Sequence, residues 1–471
     1  MRKTSVALMA LLLLVTTVLS ACGGGNNNGK NGGNDASAPP ANNAPANEAA
    51  NEPAAEEPAA AEIEPFTVSL RHIQIGEAQK FRKAILDDVV KKTEAEVPGL
   101  TFELDGIEDQ VNRFTKLPAE MAAGNPPKIF DLFGGAGDAL KYAKAGRLLD
   151  LTPILDELGI ADRFLNLNQF THEGKVYGLP IGGNTEGFYY SQPLFEQYGI
   201  KEPTTWAELE AAADTLHKNG ITPFAVGSKG AWVPLMMVNT LIGRYAGPEA
   251  IDGFPAGKQA WNAPEVVAAF AKYEEWVKKG YFTKGELGLE YADMLNQFLT
   301  GKAGMMFDGS WRSSVFKDEA QAGELTGKVG YFSMPAADGG KGDQSFVNGN
   351  YGNGYGFSSN LNEQELAAVK AFIKNLYNDE MQLRGLLEDG VLPSMKLSAD
   401  ALAKVEDPIV SKVMQIMSAA GGAFSHFDST VQSEVYKETE AEIQKLIAGK
   451  ATAQQVGDAL QKVQEAANAK Q

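Results

Sequence analysis

The sequence predicts an α/β protein of two lobes joined by hinge crossings, with a helical C-terminal region. Three observations carry that expectation. A chain of 471 residues is too long for one hydrophobic interior. Its first folded stretch alternates strand and helix patterns as βαβαβ, which predicts a parallel sheet with right-handed crossovers. Two glycine-interrupted aromatic segments, Tyr177 to Tyr190 and Tyr355 to Ser358, stand where a chain would pass from one sheet to another and back.

The N-terminal segment reads as an address. Arg2 and Lys3 precede an apolar run from Val6 to Leu19, too short to span a bilayer and suited to the core of a secretory signal. The run ends in Leu19-Ser20-Ala21-Cys22, which resembles a bacterial lipobox. A signal peptide over residues 1–21 and a lipidated Cys22, tethered to the outer face of the bacterial cell membrane, are expected. Residues 22–64 are rich in Gly, Asn, Ala, Pro and Glu and have almost nothing to bury, so they are expected to be a disordered acidic linker.

In the folded body, Phe66 to Ile75 alternates and is rich in strand formers, and Glu77 to Val97 has helical spacing. A strand follows at Leu100 to Ile107, a helix at Asp109 to Ala123 and a strand at Lys128 to Phe133. The loop Gly134 to Asp138 fails the dinucleotide fingerprint in spacing and position. Its glycines are instead expected to let a ligand approach backbone amides. After the first crossing, helices are predicted at Thr205 to Asn219, Val233 to Tyr245, Pro264 to Lys279 and Leu289 to Thr300. Strands are predicted at Ile221 to Val226, Gly304 to Phe307 and Lys328 to Pro335. From Asn362 onward the pattern is almost entirely helical. The boundaries expected are 65–181 with 358–397 for lobe 1, and 182–357 with 398–471 for lobe 2.

The stretch Gly304 to Arg312 draws the most attention: a buried strand stops at a glycine and delivers Asp308 and Trp311 to an edge, with Ser310 placed to cap a following helix. Open α/β sheets bind ligands at such carboxyl ends.

Composition narrows the chemistry. A net charge of -18 without a basic patch argues against nucleic acid. One cysteine permits neither an intramolecular disulfide nor a cysteine metal site, and the four histidines form no HExxH pair. No nucleophile elbow, phosphate loop or calcium loop is present, and no metal or cofactor is expected.

Four segments carry a resemblance: the lipobox; Tyr142 to Gly146 ahead of Leu148 to Leu151; Gly174 to Pro180; and Gly301 to Trp311, a GKAxM…GSW pattern. With them the chain resembles the group 1 extracellular solute-binding proteins, the maltodextrin-type sugar receptors of ABC importers. The resemblance runs from about Phe66 to Lys470. It implies a class II periplasmic-binding-protein fold, a carbohydrate held between the lobes, a membrane permease as partner and a monomeric, non-enzymatic receptor. By the same resemblance, Trp311 is the stacking tryptophan, Trp232 a second aromatic edge, and Asn184 and Glu186 polar readers at the crossing. Location alone adds Gln74, Asp131, Phe133, Asp308, Asn350, Tyr351 and Asn353. Two aromatic shelves favour an oligosaccharide. Core packing is the competing reading for Trp311 and Trp232, and backbone hydrogen bonding for Asp308, while Trp206, Trp261 and Trp276 read as core. The competing function is a secreted glycan hydrolase, which needs two carboxylates across one cleft; a lipoprotein adhesin or folding helper is suggested only by the tether.

Overall fold

Two sheets organise the computed structural model, which describes residues 64–470. The expected signal, Cys22 and nearly all of the linker lie outside the described residues. Both sheets belong to one compact unit, Glu62–Gln471.

The first sheet has five strands in the order Leu100–Gly106, Phe66–His72, Ile129–Phe133, Asn353–Phe357 and Gly178–Pro180. The first three are parallel, with Phe66 beside Leu100 and Leu70 beside Ile129, as the βαβαβ pattern predicts. Asn353–Phe357 runs antiparallel to both its neighbours, with Tyr355 opposite Asp131 and Leu179. Helix Lys80–Glu96 covers the sheet with Ile85, Leu86, Val89, Val90 and Thr93. Their spacing places them on one helical face.

The second sheet is mixed, in the order Val329–Phe332, Glu186–Ser191, Ala303–Gly309 and Thr222–Ala225. Ala303–Gly309 is buried throughout, antiparallel to Glu186–Ser191 and parallel to Thr222–Ala225. The predicted helices around it form at Trp206–Lys218, Trp232–Tyr245, Pro264–Lys278 and Tyr291–Leu299. Thr205 and Glu208 close the first with a capping box. Trp206, Trp261 and Trp276 are core residues, at most 5% exposed. C-terminal helices Ser433–Ile447 and Ala453–Asn468 contribute Val435, Ile443 and Leu460 to this second interior.

The chain passes between the sheets at 181–185 and returns before Asn353, earlier than the boundary expected at 358, because Asn353–Phe357 is already a strand of the first sheet. Asn184 and Asn350 join the two crossings through reciprocal backbone hydrogen bonds of 2.9 and 3.0 Å. Each crossing is also paired by a short strand from the C-terminal region. Leu392–Pro393 lies against Gly182–Gly183, and Ala423–Phe424 against Val347–Asn348. That region is therefore not purely helical, since it splints both crossings.

The loop Gly134 to Asp138 corrects an expectation. Its first two amides are already spent: Gly134 donates to the Gly352 carbonyl at 2.7 Å and Gly135 to that of Gln169 at 2.6 Å. A Cβ at Gly135, whose φ is +86°, would fall 1.4 Å from the Ser429 carbonyl oxygen. The glycines serve close backbone packing against the C-terminal segment rather than a ligand.

Candidate ligand-binding site

A cavity of about 490 Å³ opens between the two sheets, within the range of ligand sites. Its second-lobe wall grows from the strand Ala303–Gly309. Asp308, at the strand's end, is completely buried. It accepts hydrogen bonds from the Tyr291 hydroxyl (2.7 and 2.9 Å), the Gly309 amide (2.8 Å) and the Arg312 guanidinium (3.1 Å). Burial pushes its carboxyl upward, and Arg312 with these donors pulls the other way. The Trp311 indole donates to the Tyr291 oxygen at 2.9 Å, and Trp232 meets Tyr291 edge-on with centroids 4.7 Å apart. Trp232, Tyr291 and Trp311 thus form one aromatic wall fixed from behind by Asp308. With its N–H already committed, the indole of Trp311 offers its face.

The glycine before this tryptophan has a steric reason. A Cβ at Gly309 would lie 2.0 Å from the Trp311 ring, so only glycine lets the indole lie down on the backbone. Ser310 does not cap a helix as expected; the segment Ser310–Lys317 is a 3-10 helix without a side-chain cap. Ser310 instead clasps the first crossing: its amide donates to the Thr185 carbonyl at 2.8 Å, and its Oγ accepts from the Thr185 amide at 3.3 Å. The Gly-Ser-Trp run therefore ties the aromatic wall to the hinge.

The first-lobe wall is charged. Arg113 is buried with its guanidinium 3.9 Å from the centroid of Phe133 and 5.5 Å from that of Tyr436. It donates to Asp138 at 2.9 Å in its own lobe, and to the Asp428 carboxylate (3.1 Å) and carbonyl (2.8 Å) across the cleft. Arg82 donates to Asp389 at 2.7 Å. Asp109 lies on the same wall, its Oδ1 shielded from solvent and without a hydrogen-bond partner. Burial pushes its carboxyl up to about 6, against the pull of Arg113.

At the floor, Glu186 accepts from Asn348 at 2.5 Å and sits 3.6 Å from the His426 ring. Burial raises the carboxyl and lowers the imidazole, so both favour their neutral forms. Asn350 receives the Gln169 amide at 2.8 Å and donates to Ser429 at 3.2 Å, while the buried Oδ1 of Asn184 has no partner.

Of the residues singled out in the sequence, Trp311, Trp232, Phe133, Asn184, Glu186, Asn350 and Asn353 line this cavity. Four do not. Asp308 stands behind the aromatic wall, satisfied by its own neighbours. Asp131 is wholly buried in the first sheet, where Asn353 donates to both its oxygens at 3.3 Å. Gln74 turns into the same interior, accepting from the Tyr355 hydroxyl at 3.4 Å, while Ile73 and Ile75 face the cavity instead. Tyr351 packs its ring on the backbone of Gly183. Sequence reasoning missed Tyr291, Arg312, Arg82, Asp109, Arg113, His426 and Asp428, all of which line the cavity. The carboxyl-end rule that pointed to Phe133 applies equally to the strand ending at Gly106, and Glu108, Asp109 and Arg113 follow it. His426 and Asp428 carried no signal.

Among the described residues, no cluster of histidines, cysteines and carboxylates is arranged for a metal ion, and no helix is long and apolar enough to cross a membrane. A second, more open cavity of about 370 Å³ lies around Arg244 in the second lobe. The carbonyls of Met334, Gln344 and Phe346 take the Arg244 guanidinium, so it works as a loop tie.

Two α/β lobes enclosing a ligand-sized cleft at their hinge define the class of two-lobed solute receptors. The bacterial extracellular solute-binding protein family matches residues 77–383, and the chain belongs to that family. Its members act outside the cytoplasm. A solved chitin oligosaccharide binding protein is 47% identical, with a TM-score of 0.80 over 86% of this chain and 99% of that one. The multiple sugar-binding protein of Streptococcus mutans is 22% identical over 269 residues, 56% of this chain and 62% of that protein. An uncharacterized ABC transporter extracellular-binding protein of Pyrococcus horikoshii is 26% identical over 248 residues. That match spans 50% of this chain and only about half of the relative's length, 54%. The family and the solved relative are binding proteins.

Proposed function

We propose that this protein is the carbohydrate receptor of an ABC importer, capturing an oligosaccharide between its lobes and delivering it to a membrane permease. The observation that carries the reading is the aromatic wall of Trp232, Tyr291 and Trp311 facing the charged wall of Phe133, Arg113 and Asp109 across one cavity. Pyranose C–H faces stack on the aromatic rings, and hydroxyls take the polar edge. Asn184, Glu186, Asn350 and Asn353 serve as polar readers at the crossings. The 47% identity to a chitin oligosaccharide binding protein makes chitin-type oligosaccharides the first ligands to test. The receptor works as a monomer, without cofactor, held by lipid on Cys22 at the outer face of the membrane, and it releases its ligand unchanged. We assign residues 65–181 with 353–397 to one lobe and 182–352 with 398–470 to the other.

Capture works through closure, since the ligand drives the lobes together only as far as it prefers the closed form. The test is calorimetry of the mature protein against chitin-, xylan- and starch-derived oligosaccharides, with product analysis of each mixture. Saturable binding with the sugar recovered intact is expected. Turnover into shorter products would establish the hydrolase instead.

A further inference from the structure

The polar groups of the cleft are not evenly spent. Its cations are taken: Arg82 by Asp389, Arg113 by Asp138 and Asp428, Arg312 by Asp308. No lysine lines the cavity. Two acceptors remain unmet, Asp109 Oδ1 on the first-lobe wall and Asn184 Oδ1 at the crossing, both shielded from solvent. Arg113 does not serve Asp109: its hydrogen bonds go to Asp138 and Asp428, and Asp109 Oδ1 has none from it. A buried acceptor without a partner is destabilising, and a ligand N–H or O–H relieves that on binding.

Resting on the sugar-receptor reading, we propose that the cleft selects by hydrogen-bond donation and rejects acidic sugars, with Asp109 as the specificity-determining acceptor and Asn184 as its partner at the crossing. A neutral sugar, above all one with an acetamido N–H, offers donors to both. A uronate brings a further carboxylate beside Asp109, Glu108 and Asp428, and finds every cavity arginine already paired. Like charges brought together out of water are repelled, and a site built to receive a donor discriminates strongly against a group that lacks one.

The experiment is calorimetry of the wild type, Asp109→Asn and Asp109→Ala with triacetylchitotriose, xylotriose, maltotriose and trigalacturonic acid, each variant checked for an unchanged melting temperature. The wild type is expected to bind at least one neutral trisaccharide at least a hundredfold more tightly than trigalacturonic acid. Asp109→Asn should lose more than tenfold for the neutral sugar and narrow the neutral-to-acidic ratio, which a merely structural role would not move. Neutral binding unchanged within twofold in both variants, or trigalacturonic acid bound as well as the neutral sugar, would overturn the inference and leave the receptor reading standing. Binding of none of the four would overturn both.

Discussion

The two walls of the cleft solve the same problem with opposite materials. The second-lobe wall presents aromatic faces and neutralises its charge within itself: Asp308, 0% exposed behind Tyr291, pairs with Arg312, which borders the cavity and is 5% exposed. The first-lobe wall puts its charge in the cleft, where Arg113 lies over Phe133 and reaches across to Asp428. One wall supplies flat, dispersive contact that any sugar face can use, and the other supplies directional acceptors and the ion pair that joins the lobes. The difference implies that affinity resides mainly in the second lobe, and selectivity and closure in the first.

The strongest break of this comparison is Asp308→Asn. The substitution keeps the shape but leaves the Arg312 guanidinium buried without its counter-charge, which costs about 3–5 kcal/mol. A melting temperature lower by roughly 5–10 °C is expected, together with weakened sugar binding as Tyr291 and Trp311 lose their anchor. Lost affinity at an unchanged melting temperature would instead make Asp308 a ligand contact, and the division between self-neutralised and presented charge would fail.

Trp311→Ala comes next. A loss of more than tenfold in sugar affinity is expected, about 1.4 kcal/mol or more, with the protein still folded, because the ring is partly exposed and its face borders the cavity. Normal affinity with a lowered melting temperature would return Trp311 to the core, and the aromatic wall would then be scaffolding.

The walls also differ in how far the sequence discloses them. The aromatic wall lies beside a contiguous run, Gly304 to Arg312, where strand, glycine and tryptophan follow one another, so local pattern reaches it. Even there Asp308 misleads, since a carboxylate at a strand end looks the same whether it faces a ligand or its own Arg312. The charged wall is assembled from residues 82, 109, 113 and 133, with 428 meeting it from the other lobe, and these share no local period. Its ion pair spans 315 positions of sequence and becomes visible only when the C-terminal segment folds back against the crossings. Gln74 and Asp131 show a related limit: a strand's end can be placed to within two residues, but one residue's difference turns a side chain to the other face of the sheet. The sheets and helices themselves were legible because their apolar periods run long enough to be read.

Asp428→Asn probes the smallest effect and the finest part of the comparison. Arg113 keeps Asp138 and the Asp428 carbonyl, so the substitution removes one charge-assisted contact between the lobes and leaves no naked cation. That contact should be worth on the order of 1 kcal/mol. Each lobe retains its own interior, so the melting temperature should move by less than about 2 °C. The loss falls on closure: a receptor whose closed form is less favoured binds more weakly in proportion to the closed fraction. A roughly fivefold weaker sugar affinity is expected, with small-angle scattering showing a more open unliganded protein. Unchanged affinity and unchanged scattering would mean that Arg113 merely packs against Phe133, and that closure, like affinity, belongs to the aromatic wall.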